Sequence, residues 1–438
     1  MKLHSISLSI ALALTSSVAS LGFSAAAQAH DMVPGAVQQQ PILLTGLTVH
    51  TVANGVQLDT DVLVEQGKIA AIGKNLSAPA GAKVVALDGK HLYPGLIALA
   101  NQLGLIEVSA VRATNDSREV TNTNPDIRAK VAYNADSEVI PTIRSNGFTH
   151  SMVYPSGSMI MGQSSLMQLD SWNYQDAVTK DDTGLHVNWP NADSIGSRWN
   201  PKPAAEVRKS NEKRLAQLQQ YFADAKAYYD AEQAGLNYGK DSRWQAMLGF
   251  FSGDLPLFVH ADDARQMQQA MLFAKQYQVS LTIVGGRDSW RIADELAANN
   301  VAVIYTAPFG LPSRSDENYA QAYKTPAVLQ QAGVNFALSL DGYWDTRNLV
   351  FAAGQAINYG LTPEQALRSV TINAAKIAGS AASLGSIEVG KSASLVVSDG
   401  DIFDYLTHKV SYMLIDGREV DLNNRNKQLH EKYKHRIE

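Results

Sequence analysis

Two side chains in this chain stand where a strand-like run gives way to a polar loop, and both can do acid–base or metal chemistry. His260 closes Leu257-Phe258-Val259-His260 and precedes Ala261-Asp262-Asp263. Asp341 follows Phe336-Ala337-Leu338-Ser339-Leu340 and precedes Gly342. An imidazole can hold a metal or carry a proton near neutral pH. A carboxylate can hold a metal or take a proton from water. The bland readings are a core histidine and a helix N-cap aspartate, and the second is compatible with catalysis. Substrate contacts are expected from two other segments. Arg112, with Arg118 and Arg128, can clamp a carboxylate through its guanidinium fork. The Gly157 to Gly162 loop at a strand end offers Ser158, Gln163 and Ser164 as polar donors, with Gln163 and Arg112 taken as the substrate-binding pair. Glu107, Asp116, Asp262, Asp263 and Asp288 read more simply as loop or surface charge.

These groups need a scaffold that brings strand ends together. Between residues 148 and 339, strand-like runs alternate with helical ones: 148–154, 257–260, helix 264–277, 280–284, helix 290–298, 301–304 and 334–339. Repeated β-then-α units favour a parallel sheet, and this many in one domain favour a closed barrel with ligands at its C-terminal mouth. Residues 203–234 carry apolar positions at helical spacing (Val207, Leu215, Leu218, Phe222, Ala225) and predict a long helix covering the barrel. Residues 41–90 differ in texture, with short strands and Asn54-Gly55, Gln66-Gly67 and Asp88-Gly89 turns. The same texture returns at 383–425, which predicts one small β-sandwich built from both chain ends around a barrel at 91–382.

Composition narrows the function. Thirty-seven basic against forty-two acidic side chains give −5, with no basic block, which argues against a nucleic-acid partner. Residues 1–29 read as a secretory signal: Lys2, an apolar run, and Ala27-Gln28-Ala29 as a small-x-small cleavage site. Export without a single cysteine suits a bacterial periplasm or secretion. No other segment approaches the roughly 18 apolar residues that a spanning helix needs.

The segment His91-Leu92-Tyr93-Pro94-Gly95-Leu96-Ile97-Ala98-Leu99-Ala100-Asn101-Gln102 resembles the "PGLID-x-H-x-H" frame of the amidohydrolase superfamily. "LTPEQALRSVTINAAKIAG" at 361–379 and "LGSIEVGKSASLVV" at 384–397 resemble its C-terminal signature, and 147–169 resembles imidazolonepropionase and related exported members. The resemblance implies an α/β fold, a (β/α)8 TIM-like barrel with the small β-sandwich, and hydrolysis of C–N bonds. It also implies that His260 is the fifth-strand metal histidine and that Asp341 is the eighth-strand aspartate, which binds metal and takes the proton from water. The family's first-strand histidine positions hold Ala100 and Gln102 here, and Gly285-Gly286 stands where a sixth-strand histidine is usual. Three readings follow. One is a hydrolase using zinc or another divalent metal on small cyclic amides or dipeptides. The second is a metal-free pseudo-enzyme that binds a ligand or pairs with an active paralogue or a second copy. The third is a metal-independent hydrolase, in which Asp341 activates water and an arginine or loop amide steadies the oxyanion.

Overall fold

Among the residues described by this computed structural model (33–157, 159–191, 202–236 and 239–437), sixteen strands form two sheets; the expected signal segment and Ser158 lie outside them. The N-terminal strands are β1 (Ile42–His50), β2 (Val56–Glu65), β3 (Lys68–Gly73), β4 (Lys83–Ala86) and β5 (His91–Pro94). The central strands are β6 (Leu96–Asn101), β7 (Phe148–Val153), β8 (Ile160–Gln168), β9 (Val178–Asn188), β10 (Leu257–Ala261), β11 (Leu281–Gly285), β12 (Ala302–Tyr305) and β13 (Phe336–Leu338). The C-terminal strands are β14 (Leu395–Ser398), β15 (Val410–Ile415) and β16 (Arg418–Glu419).

Both chain ends enter one eight-stranded sheet, ordered β16-β15-β14-β5-β1-β2-β3 with β4 paired to β1. The seam is the antiparallel pair β5–β14, which matches Leu395 to Pro94 and Val397 to Leu92. Its apolar face buries Leu44, Leu47, Val62, Ile69, Leu395 and Leu414 as a separate small core.

The other eight strands follow chain order from β6 to β13 in a nearly closed, TIM-like barrel. Its interior is filled by Ile97, Leu99, Met152, Leu166, Phe258, Val284, Ile304 and Ala337, with Ala374, Ala375, Ile377 and Ala378 packed against them. Side chains from several strands thus make a packed core rather than a pore. The gap between β13 and β6 is crossed by Ser339 Oγ, which donates to the Leu99 carbonyl at 2.6 Å.

One strand departs from the expected alternation. β8 runs antiparallel to both β7 and β9, whereas the other neighbouring pairs of this sheet are parallel. The connections explain it, because a parallel crossover takes about a dozen residues or more and a hairpin takes few. Residues 154–159 and 169–177 are too short for anything but hairpins. The loop expected at Gly157 to Gly162 therefore gives way to strand from Ile160 on, with Gly162, Gln163 and Ser164 inside β8.

The helix Ala204–Gln233 covers the barrel as its spacing predicts. It buries Leu218, Phe222 and Ala225, and Phe222 meets Phe250 and Phe273 edge-on at 5.1 and 4.9 Å. Val207 and Leu215 stay only partly covered. Where the barrel meets the chain's C-terminal segment, Asp170 forms a buried ion pair with Arg144 at 2.9 Å and a second contact with Arg418 at 3.4 Å.

Candidate active site

At the C-terminal mouth of the barrel, β9 and β10 pair in parallel with Phe258 opposite His186. The rings of His186 and His260 then meet: His186 Nδ1 lies 2.9 Å from His260 Nε2, one donating and the other accepting according to tautomer. Tyr154, the first residue past β7, stacks on His186 at 4.8 Å and 14° and tilts over His260 at 4.8 Å. Phe258 stacks on His186 at 4.8 Å. An aromatic enclosure of this kind withholds water from a charged ring. Burial accordingly drives the His260 pKa down to about 3, and holds His186 well below its usual value, with the neighbouring His260 adding to the effect. Both imidazoles are neutral at pH 7.

Asp341 follows β13, is exposed to solvent, and accepts no hydrogen bond among the described residues. It does not cap a helix, since the next helical turn is Asp345–Asn348, preceded by Trp344. Its negative charge reaches Tyr154, whose phenol pKa is raised first by burial and then by Asp341. Tyr154 therefore touches His260 and also feels the charge of Asp341. Neither Tyr154 nor His186 stands out in the sequence as a site residue. The available signal was a histidine near the end of Leu185-His186-Val187-Asn188, just before Trp189-Pro190.

The positions that would complete a metal site are shaped for other purposes. Ala100 takes φ +48° at an irregularity in the β6–β7 register and packs into the barrel interior beside Met152 and Phe258. Asn101 turns to the neighbouring strand, where its Oδ1 accepts from Ser151 Oγ at 2.9 Å. Gln102 is partly buried at the strand exit. Gly285 has φ +105°, and a Cβ there would stand 2.8 Å from Asp262 Oδ1 and 3.0 Å from the Ala261 carbonyl. A histidine cannot be accommodated without moving backbone. Among the described residues no three histidine, aspartate or glutamate side chains are grouped to hold an ion. Catalytic zinc usually takes three protein ligands, so this donor set does not fit one. Gly285→Ala is expected to cost about 1–3 kcal/mol through the left-handed backbone and the Asp262 contact, read as a lower urea midpoint with unchanged slope. An unchanged midpoint would show that the strand end relaxes freely.

The remaining candidates are dispersed around the rim. Arg112 is exposed, donates to the Asn115 carbonyl at 2.7 Å, and lines a cavity of about 520 Å³ with Arg118, Thr121 and Ser156. Arg128 is instead paired with Asp182 at 3.0 Å. Gln163 is buried, and its amide donates to the carbonyls of Pro125 and Ala246, both at 3.0 Å, tying loops together. Ser164 is likewise buried and bonded to Thr183 at 2.7 Å. Asp263 caps the helix Ala264–Tyr277 in a capping box with Gln266. Asp263, Asp288 and Glu317 all pair with Arg314, at 3.1, 2.7 and 2.8 Å. Two of the carboxylates read as surface charge, Asp263 and Asp288, are thus structural ion pairs at the rim.

A family model described as "Amidohydrolase family" matches residues 256–422, the segment that carries His260 and Asp341. The imidazolonepropionase of Treponema denticola is 32% identical over 175 residues, which is 39% of this chain and 40% of that protein. Imidazolonepropionase of a Geobacillus species is 26% identical over 80% of this chain and 85% of its own length. The crystal structure of an amidohydrolase from Thermotoga maritima superposes with a TM-score of 0.77 at 27% identity, covering 87% of this chain and 99% of that one. These matches support the amidohydrolase superfamily. Within it the chain is imidazolonepropionase-like.

Proposed function

We propose that this amidohydrolase-type barrel hydrolyses a C–N bond of a small cyclic amide or N-acyl compound at its C-terminal mouth, without a catalytic metal. The observation that carries the reading is Tyr154, whose ring tilts over His260 while its phenol feels the charge of Asp341, so that an aromatic wall, a neutral imidazole pair and a solvent-open carboxylate share the barrel mouth. Asp341 takes the proton from the attacking water and returns it to the leaving nitrogen. His260, held neutral, serves as a hydrogen-bonding group, because an imidazole of so low a pKa is a weak base at pH 7. Arg112, on its cavity wall, is read as the group that receives a substrate carboxylate, and Gln163 as a positioning residue through the loops that it ties.

The test uses protein purified without chelator and assayed on hydantoins, N-acyl amino acids and dipeptides before and after chelator treatment. Expected results are zinc, manganese and iron far below one equivalent, activity that survives chelation, and a loss of about 10²–10⁴-fold in kcat for Asp341→Asn. Stoichiometric metal, released together with activity, would overturn the metal-independent mechanism. A second reading, a ligand-binding pseudo-enzyme or partner of an active paralogue, is favoured by Ala100 serving as core packing. It predicts binding of panel compounds without turnover. Export is part of the proposal, and mature protein beginning at His30 is the result expected from N-terminal sequencing.

A further inference from the structure

We propose that Arg287 is the electrophilic group of this mouth, its guanidinium binding the substrate carbonyl oxygen as it becomes an oxyanion. The inference rests on the hydrolytic reading above and supplies the charge that a metal-independent reaction needs.

Arg287 stands just past the glycine pair that empties the sixth-strand position. Its backbone is laced to the residues that follow His260. Gly286 N donates to the Ala261 carbonyl at 2.8 Å, Arg287 N to Asp262 Oδ1 at 3.2 Å, and Asp288 N to the Asp262 carbonyl at 2.9 Å. This places the arginine beside β10's exit, on the same rim as the imidazole pair.

The rim's ion pairs leave it unused. Arg314 takes up Asp263, Asp288 and Glu317. Arg287 has no ion-pair partner among the described residues, and its Nε is buried without a hydrogen-bond partner. Asp262 gives its Oδ1 to the Arg287 backbone rather than to the guanidinium. A partly buried cation without a counter-charge destabilises a fold. It becomes favourable when an anionic oxygen arrives, because guanidinium offers parallel N–H donors in a fixed fork. Such preorganised donors act where negative charge develops.

The step is balanced with water alone. The water oxygen bonds to the carbonyl carbon while its proton passes to Asp341. The C=O electron pair moves onto the oxygen held by Arg287. Collapse restores the C=O, breaks the C–N bond, and the nitrogen leaves with the proton from Asp341, giving a carboxylic acid and an amine.

The test compares wild type, Arg287→Gln, Arg287→Lys and Arg287→Ala on the hydantoin, N-acyl amino acid and dipeptide panel. Thermal melts establish that each variant is folded. The expected result for Arg287→Gln is a fall in kcat of about 10²–10³-fold with KM changed little. Arg287→Lys should retain part of the rate, and guanidinium ion at subdenaturing concentration should restore rate to Arg287→Ala. An active wild type whose kcat is unchanged in Arg287→Gln overturns the role of Arg287 alone. A folded Arg287→Ala that loses activity but gains nothing from guanidinium while Arg287→Lys is dead also overturns it, in favour of a structural role. A wild type inert on the whole panel overturns the hydrolytic reading as well.

Discussion

Asp170→Ala is expected to cost about 3–5 kcal/mol of folding stability, the usual penalty for removing one partner of a buried ion pair. Asp170 and Arg144 are 1% and 4% exposed and 2.9 Å apart. Arg144 also donates to the Leu169 carbonyl at 3.0 Å and the Asp421 carbonyl at 3.2 Å, and Arg418 donates to the Asp170 carbonyl at 2.7 Å. Removing the carboxylate takes the paired charge of Asp170 away from a buried guanidinium, and the carbonyl oxygens of Leu169 and Asp421 carry no charge to replace it. The strain falls where β8's exit, the helix Val139–Arg144 and the C-terminal segment meet. The measurement is urea unfolding, with the midpoint falling and the slope unchanged. Glu206→Ala, which breaks an exposed pair with Lys202, serves as the comparison and should shift stability by under about 0.5 kcal/mol. Equal effects of the two substitutions would show that the Asp170 pair is no more than a surface contact.

Acidification should destabilise the protein over the window from pH 6.5 down to about 4. The sign follows from the histidines. His260, His186, His150 and His50 all have pKa values lowered by burial, to about 3 for His260 and about 4 for His150 and His50. Such a group binds fewer protons folded than unfolded. Its contribution is whole above the unfolded value of 6.5 and is lost as pH falls towards the folded value. At pH 4.5, keeping one of these rings neutral costs roughly 2–3 kcal/mol. The urea midpoint should therefore fall steadily between pH 7 and pH 4.5. In a double variant, His186→Gln with His260→Gln, the slope with pH should flatten although the pH 7 midpoint is lower. If the double variant keeps the wild-type slope, the mouth pair is not what titrates.

The acid window and the proposed active site share one cause. Tyr154 and Phe258 enclose the histidines and make them neutral, and the same enclosure provides a dry wall for a substrate. Asp341 escapes it by standing in solvent after β13, so the proposed proton carrier and the proposed neutral hydrogen-bonding group are separated by environment. That division is a property of the folded barrel mouth, and it explains why one lone histidine and one lone aspartate in the sequence were legible while their partners were not.

Hydrophobic period, turn residues and family-like motifs were enough to read most of the strands, the covering helix, the barrel and the matching β-segments at the two ends. These are local signals: β-branched runs at 257–260 and 301–304, the Asn54-Gly55 turn, and apolar spacing from Leu218 to Ala225. That Ala100 and Gly285 offer no side-chain donor atom was also readable, whatever their surroundings. Other features required tertiary structure. The direction of β8 depends on hairpin connections that the Gly/Ser-rich composition disguised as a loop. The meeting of His186 with His260 depends on parallel register between strands separated by the helix Ala204–Gln233. Among the described residues Arg287 lacks an ion-pair partner, with Asp263, Asp288 and Glu317 taken by Arg314 and Asp262 held by the Arg287 backbone. Residue type and spacing determine what chemistry a chain can offer. Contacts across strand ends decide which groups are neutral, which are paired and which remain available to a substrate.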